Sequence, residues 1–233
     1  LLKHNGPLND TKKLQNIIGI KNLKNKIKLD KNSSLEAQIA AISDDIAYNN
    51  HDIQDGIKAK LFSLNELIDI DFFREIYKSY KKKIKKNNRE IILYQIIRDS
   101  INLMVQDVIK KTISNINKRD IKNISNIYND KQIVEFSNKF KVFESQIKLF
   151  LKYKMYNNKN VLIKNSKGKK IVKNLFKIIN KKPKYFIEKS ELNKNKYRAI
   201  ADYISGMTDR FAINLYNNNK WIYLNYIEIK LLI

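Results

Sequence analysis

Residues Ser33–Gly56 read SSLEAQIAAISDDIAYNNHDIQDG and differ from the Lys-, Asn- and Ile-rich sequence around them. Ser33 and Glu36 have the spacing of a capping box, in which the serine oxygen and the glutamate carboxylate each satisfy an unpaired N–H at a helix start. Gly56 is a candidate end of the same helix. The stretch therefore predicts one long helix, and its alanines favour close approach by other helices.

A row of polar side chains marks one face of this predicted helix. Asp44, Tyr48 and Asp52 recur at intervals of four residues, so they project from one face, with Asp45 and His51 on its flanks. Carboxylates on a closely packed helix are costly unless a metal ion, another cation or a ligand compensates them. We therefore take this face as the candidate site.

The rest of the chain predicts further helices. Ser63 and Glu66 form a second capping box, and the apolar residues from Phe72 to Tyr80 recur at helical spacing and are predicted to be core. The other predicted helices are Glu90–Asn117, Lys131–Tyr156, Lys169–Asn180 (stopped by Pro183) and Tyr197–Tyr216.

Between these helices we expect a turn at Asn157–Asn165, with an extended piece at Val161–Ile163. Gly206 indicates close packing or a local break, and the residues after Tyr216 read as a tail. Only five glycines and two prolines occur in 233 residues, which argues against a turn-rich β protein. The fold class predicted is all-α.

The charge balance has two interpretations. The chain has 47 Lys and Arg against 23 Asp and Glu, a net charge of +24, which is typical of proteins that bind nucleic acid or another polyanion. However, the excess lies in Lys and accompanies an excess of Asn and Ile, which an AT-rich genome encodes whatever the function. The run Lys81–Arg89 is likewise either a solvated turn or a phosphate-facing segment.

Several classes of protein are excluded or disfavoured. The absence of cysteine excludes disulfides and thiolate metal ligands, and it fits a cytoplasmic protein. No apolar run approaches the roughly 18 residues of a membrane span, so we expect no membrane association. No Walker loop, GxGxxG, Gly-x-Ser-x-Gly or HExxH motif is present, and the only histidines are His4 and His51.

The segment SLEAQIAAISDDIAYNNHDIQDGIKAKLF (Ser34–Phe62) resembles part of the bacterial deoxynucleoside triphosphate triphosphohydrolases, the dGTPase-like enzymes. In that family it holds the last metal-binding Asp of an HD domain. Three more segments resemble the family in the same order: LLKHNGPL (Leu1–Leu8), the Arg98-containing helix that ends in VQDVI (Val105–Ile109), and ADYISGMTDRFA (Ala201–Ala212).

The resemblance implies an HD-domain-like helical fold and a division of the chain. Residues 1–62 would be the C-terminal part of the HD domain, residues 63–216 the helical phosphohydrolase-associated region, and residues 217–233 a tail. The implied activity is metal-dependent hydrolysis of dGTP or another dNTP to deoxynucleoside and inorganic triphosphate.

The resemblance also implies roles for individual residues. Asp44 matches the final metal ligand, Tyr48 and Asp52 match residues that look toward the sugar, and Arg98 matches an arginine that contacts the triphosphate. His51 is expected to be catalytic or to contact substrate. Each residue also has a purely structural alternative. Asp44 would be a surface carboxylate, Tyr48 a core aromatic, His51 a surface histidine and Arg98 a structural ion-pair partner.

One departure from the family is decisive. Its earlier His and His-Asp motifs are absent, so a divalent ion, Mg²⁺ or Mn²⁺, would need ligands from outside this chain. We therefore expect the C-terminal portion of such an enzyme, partnered by its N-terminal half or by further copies of itself. The alternatives are a non-catalytic basic helical module that binds nucleic acid, and an inactive remnant.

Overall fold

The computed structural model describes residues 6–8, 29–80, 89–129 and 131–230, with only the backbone of residues 89 and 220–230. Within these ranges the chain is helical and has no strand, which confirms the all-α prediction. The helices are α1 (Leu35–Lys58), α2 (Leu64–Leu67), α3 (Asp71–Tyr80), α4 (Arg89–Lys118), α5 (Ile124–Asn129), α6 (Asn138–Leu151), a π-helix (Lys152–Tyr156), α7 (Lys159–Lys181), a 3₁₀ turn (Pro183–Tyr185), α8 (Lys189–Ser205) and α9 (Asp209–Lys230).

These elements form two compact units, Leu1–Asn157 and Asn158–Ile233. The functional division expected at residue 62 lies inside the first unit and stays a prediction. None of the described helices is both long and apolar enough to cross a bilayer. Of the run Lys81–Arg89, residues 81–88 lie outside the described residues, as do His4 and most of Leu1–Leu8.

Helix α1 begins one residue later than the capping-box spacing predicts. Ser34, with extended backbone angles, is the N-cap, and its hydroxyl accepts the N–H of Ala37 at 3.4 Å. Ser33 is instead buried, and its carbonyl accepts a hydrogen bond from the Gln38 side chain at 3.0 Å. Gly56 is likewise not the end of the helix but a buried residue two positions before it, where the ring of Phe62 packs against the glycine backbone.

The core of the first unit forms where α1, α3, α4 and α6 meet. Helix α1 contributes Ile46 and Ile53, and Phe72 of α3 stacks on Phe143 of α6 with ring centroids 5.0 Å apart. Phe72, Phe73 and Ile76 are buried, as their helical spacing predicts. Burial of such side chains contributes about 1.5–3 kcal/mol each, so this apolar stripe holds α1 in place.

The N-terminal end of α1 is also held by polar contacts. The Gln38 side-chain oxygen accepts the backbone N–H groups of Ile133 (3.0 Å) and Val134 (3.2 Å), both in the segment before α6. The predicted helix Lys131–Tyr156 is therefore wrong in its first part, because α6 begins only at Asn138, with Ser137 as N-cap. Residues 133, 134 and 136 are buried although they are not helical. The spacing of these apolar residues in the sequence therefore resembles that of a helix.

The second unit is built from α7, α8 and α9 around Leu175, Ile178, Ile179 and Ile200. The expected turn and extended piece at 157–165 are wrong, because α7 begins at Lys159 with Asn158 as its N-cap. Pro183 follows the end of α7, as predicted.

The last helices also differ from the expectation. The predicted helix Tyr197–Tyr216 is interrupted at Gly206, which ends α8, and a Cβ there would meet no atom closer than 3.6 Å. Gly206 therefore marks a break rather than a close helix contact. Helix α9 continues past Tyr216 to Lys230, and the assignment of 217–233 as a tail stays a prediction.

Candidate functional site

Helix α1 presents the candidate residues on the face that points away from the core. Ile46 and Ile53 are buried on one side, whereas Asp44, Tyr48 and His51 are exposed on the other. Tyr48 is 64% exposed, so its interpretation as a core aromatic is wrong. The helical period alone separates these two faces, because the buried and exposed sets are offset by half a turn.

The two adjacent aspartates point in different directions. Asp45 accepts a hydrogen bond from the Lys148 ammonium of α6 at 3.1 Å, and Lys148 also contacts Glu144 at 2.8 Å. Burial lowers the pKa of Lys148, but the hydrogen bonds to Glu144 and Asp45 outweigh that effect and raise the pKa above its ordinary value. Asp45 is therefore engaged with α6, and the assignment of Asp44 as the metal ligand stays a prediction.

Asp52 is paired across the unit with a residue that sequence reasoning missed. The hydroxyl of Tyr156, the last residue of the π-helix, donates a hydrogen bond to the Asp52 carboxylate. Burial, this hydrogen bond and the nearby Asp52 charge raise the pKa of Tyr156, and Tyr48 acts in the same direction. Tyr48, Asp52 and Tyr156 thus form one cluster, with Tyr156 a neutral donor at physiological pH.

The π-helix that carries Tyr156 is held at a second point. Lys154 pairs with Glu66 of α2 at 2.7 Å. Glu66 also closes the predicted capping box with Ser63, which the structure confirms. The hydrogen bond from Lys154 and those from Ser63 lower the pKa of Glu66 to about 2. Single-turn π-helices are rare and recur at functional sites. The presence of this anchored π-helix therefore supports a functional site at the adjacent face of α1.

Arg98 lies on the neighbouring helix α4, which packs antiparallel to α1. Two contacts join α1 and α4: Lys58 lies over the ring of Tyr94 (5.5 Å to the centroid), and Asn50 contacts Met104 at 3.6 Å. Along α4, Arg98 lies between the positions of these two contacts. Its position four residues after Tyr94 places it on the same side of α4. Arg98 is exposed and forms no ion pair with any acid in the described part of the chain.

A cavity of about 660 Å³ opens on the other side of α1, between its N-terminal half, the segment 132–136 and α6. Its charged lining includes Asp45, Glu135, Glu144, Lys141 and Lys148. Lys141 pairs with Glu135, and Lys148 pairs with Asp45 and Glu144, so these charges compensate one another. The cavity is separate from the exposed Asp44 face.

The residues that the structure describes do not by themselves make up a metal site. No group of three or more His, Asp or Glu side chains with metal-binding geometry occurs among them. A divalent ion needs several oxygen or nitrogen ligands, and on the open face of α1 Asp44 is the candidate that the family motif matches. Any such ion would share Asp44 with ligands beyond the described residues.

Comparison with known proteins agrees with the sequence motifs. The family of phosphohydrolase-associated domains matches residues 134–218. A deoxyguanosinetriphosphate triphosphohydrolase-like protein of Pelagibacter ubique is 57% identical over 216 residues, which is 92% of this chain and 58% of the relative.

More distant relatives carry the same description. The proteins of Rickettsia felis and Rickettsia canadensis are 37% and 36% identical over 225 residues, covering 93% of this chain and 58% and 59% of their own lengths. The chain thus spans a little under three fifths of the curated relatives it matches. Over that span, the chain is a relative of the deoxyguanosinetriphosphate triphosphohydrolase-like proteins, as its motifs predict.

Proposed function

We propose that this chain supplies the C-terminal portion of a metal-dependent dNTP triphosphohydrolase, which converts dGTP or another dNTP to deoxynucleoside and inorganic triphosphate. The observation that carries the proposal is the cluster on the open side of α1. Asp44 and Tyr48 are exposed there, and Asp52 is held by Tyr156. The similarity to deoxyguanosinetriphosphate triphosphohydrolase-like proteins supports the substrate class.

Each residue has a role in this proposal. Asp44 is one ligand of a Mg²⁺ or Mn²⁺ ion, whose other ligands come from outside this chain. Such an ion, when bound, supplies Lewis-acid polarisation of a phosphate oxygen. Arg98, with its permanent positive charge, attracts the triphosphate, and His51 contacts the substrate or transfers a proton close to it.

In this proposal, the sugar end of the substrate is bound by Tyr48, Asp52 and Tyr156. The Tyr156 hydroxyl occupies part of the hydrogen-bonding capacity of Asp52 and fixes the orientation of its carboxylate. A carboxylate oriented in this way accepts a hydrogen bond from a sugar hydroxyl without the entropic cost of ordering it on binding. Tyr48 offers a flat aromatic surface to the deoxyribose or the base.

The proposal is tested by completing the enzyme. This chain is joined, in cis or as a separate polypeptide, to the part of the Pelagibacter ubique relative that it does not span. Release of inorganic triphosphate from dGTP is then measured with Mg²⁺ and with Mn²⁺. A folded reconstituted protein that releases no triphosphate with either ion contradicts the proposal.

A matched pair of variants assigns the carboxylate. Asp44→Asn should abolish triphosphate release, whereas Asp45→Asn should retain most of it, because Asp45 loses only an exposed ion pair with Lys148. The reverse order of activities would show that the wrong aspartate has been assigned. Asp52→Asn should chiefly raise KM for the nucleotide.

The two alternatives predict different experimental results. A non-catalytic nucleic-acid module would bind polyanions with unchanged affinity after Asp44→Ala, and it would give no active reconstituted protein. An inactive remnant would lack a cooperative unfolding transition. The proposal further expects a cytoplasmic protein. It also expects that the protein works as a homo-oligomer or with the N-terminal half of the same enzyme, and a size measurement of the reconstituted species would test this assembly.

A further inference from the structure

The π-helix determines the side of the chain on which Tyr156 lies. Its backbone hydrogen bonds span five residues, and the N–H of Asn157 accordingly donates to the Lys152 carbonyl at 2.9 Å. In an α-helix, the fifth residue after the buried Leu151 would point about 140° away from it. The wider π turn returns that residue toward the side of Leu151, which faces the core. Tyr156 therefore reaches α1 because this turn is a π-helix.

Two side-chain contacts hold the π-helix in this position. The Tyr156 hydroxyl donates to the Asp52 carboxylate of α1, and the Lys154 ammonium lies 2.7 Å from the Glu66 carboxylate of α2. Lys154 and Tyr156 are two residues apart, so their side chains leave the helix on roughly opposite sides. A single turn held on both sides cannot rotate without breaking one of the two contacts.

Both contacts lead back to the same part of the fold. The backbone N–H of Leu61 donates to the Gly56 carbonyl of α1 at 2.9 Å, and the ring of Phe62 packs against the Gly56 backbone. The carboxylate of Glu66 accepts the backbone N–H of Ser63 at 2.8 Å and its hydroxyl at 2.9 Å. Glu66 therefore presents a carboxylate whose position is fixed relative to the C-terminal end of α1.

Stability alone does not account for the ion pair between Lys154 and Glu66. The two side chains are 46% and 40% exposed, and exposed pairs of this kind contribute little to the free energy of unfolding. A small energy is nevertheless enough to select one orientation of a turn that is already folded. The pair is therefore better suited to positioning the π-helix than to stabilising the unit.

We propose that Glu66 and Lys154 are positioning residues for the sugar end of the candidate site. By holding the π-helix, they keep the Tyr156 hydroxyl on one oxygen of the Asp52 carboxylate. The other oxygen is then oriented to accept a hydrogen bond from a sugar hydroxyl of the substrate. The inference rests on the proposed function for the identity of the substrate, whereas the coupling of Lys154 to Tyr156 is measurable in this chain alone.

The first test follows Tyr156 by NMR at pH 7 in this chain alone. The tyrosines are labelled with ¹³C at Cζ, and the resonance of Tyr156 is identified by its loss in Tyr156→Phe. Lys154→Met should shift this resonance toward that of the exposed Tyr185, because the phenol no longer donates to a carboxylate in a fixed geometry. Lys154→Arg keeps the positive charge and should leave the resonance close to its original position.

Two further variants control this test. Lys152 lies in the same π-helix, is exposed and forms no ion pair with an acid of the described residues, so Lys152→Met should leave the Tyr156 resonance in place. Glu66→Gln removes the charge but keeps a residue that closes a capping box, so it should reproduce the shift of Lys154→Met.

Thermal unfolding by circular dichroism shows which of these variants are folded. An unmoved Tyr156 resonance in folded Lys154→Met or folded Glu66→Gln would overturn the proposal, as would an equal shift in Lys152→Met. If one of the two variants that break the ion pair does not fold, the other decides.

The second test measures KM in the reconstituted protein for dGTP and for 2′,3′-dideoxy-GTP, which lacks the sugar hydroxyl. Lys154→Met should raise the KM for dGTP about 2- to 10-fold, as expected when one ordered side chain becomes mobile, and should leave the KM for the dideoxy nucleotide unchanged. Equal rises for both nucleotides, or an unchanged KM for dGTP, would contradict the positioning role. A reconstituted protein that releases no triphosphate contradicts the proposed function instead, and the Tyr156 resonance then still decides whether Lys154 positions Tyr156.

Discussion

Substitution of Gly56 by alanine tests the packing that holds the candidate face in place. Gly56 lies inside α1, where alanine normally stabilises a helix by about 1 kcal/mol relative to glycine. A Cβ at this position, however, would overlap two carbons of the Phe62 ring and lie 3.3 Å from a third, Cδ1. The expected sign therefore depends on whether the ring can move.

The surroundings of Phe62 indicate that it cannot move freely. The ring is 5% exposed and packs edge-on against Phe150 of α6, with centroids 4.8 Å apart and an interplanar angle of 81°. Insertion of a methyl group into such a core costs about 1–3 kcal/mol. After subtraction of the helix-propensity gain, Gly56→Ala should lower the free energy of unfolding by about 1 kcal/mol, or about 2–4 °C in Tm.

Gly168 provides the matched control. It also lies inside a helix, α7, but a Cβ there would have no atom within 4 Å, so Gly168→Ala should stabilise by about 1 kcal/mol. Both variants are unfolded by urea and by heat with circular dichroism detection, and each is compared with the unaltered chain. If Gly56→Ala stabilised as much as Gly168→Ala, the close contact between α1 and Phe62 would be refuted. Combination with Phe62→Leu, which vacates ring volume, should reduce the cost of Gly56→Ala.

Three further changes test the core, the α2 cap and the anchored tyrosine. Ile53→Ala should destabilise by about 2–5 kcal/mol in urea unfolding, because Ile53 is fully buried, whereas Ile39→Ala on the exposed side should cost little. The folded-state pKa of Glu66 is lowered to about 2 by Lys154 and Ser63, so its stabilisation is complete above the ordinary pKa of 4.5 and is lost as the pH falls toward 2. Tm should therefore fall less between pH 5 and pH 3 in Glu66→Gln than in the unaltered chain. In an alkaline absorbance titration, Tyr156→Phe should leave the change in absorbance near pH 10 unaltered, because the pKa of Tyr156 is raised above that range.

Local sequence patterns predicted the helices of the first unit well where caps and periods agree. The Ser63–Glu66 capping box and the long helix before residue 118 occur as expected. The segment 131–137 was mispredicted because Val134 and Phe136 are buried by neighbours distant in sequence, and burial without a helix gives the same apolar spacing. Helix α7 was predicted to begin late because Asn and Lys at its start resemble a turn, although Asn158 acts there as an N-cap.

The residues of the candidate site were likewise predicted only in part from the sequence. The four-residue spacing of Asp44, Tyr48 and Asp52 places them on one helix face, and this follows from the helical period alone. The partner of Asp52 could not be predicted, because Tyr156 lies 104 residues away and reaches it only from the last turn of the π-helix. A tyrosine in a Lys- and Asn-rich stretch carries no distinguishing local signal.

The sequence by itself determined an all-helical chain, the carboxylate-bearing face of α1 and the kinship with dGTPase-like proteins, because these depend on periodicity and on motifs of consecutive residues. Tertiary structure showed that Asp45 is engaged by α6, because only the folded chain brings Lys148 beside it. It also joined Tyr156 to Asp52 and Tyr197 to Phe176 of α7. Those pairings depend on which surfaces meet when helices pack, a property of the folded chain that no local stretch of residues contains.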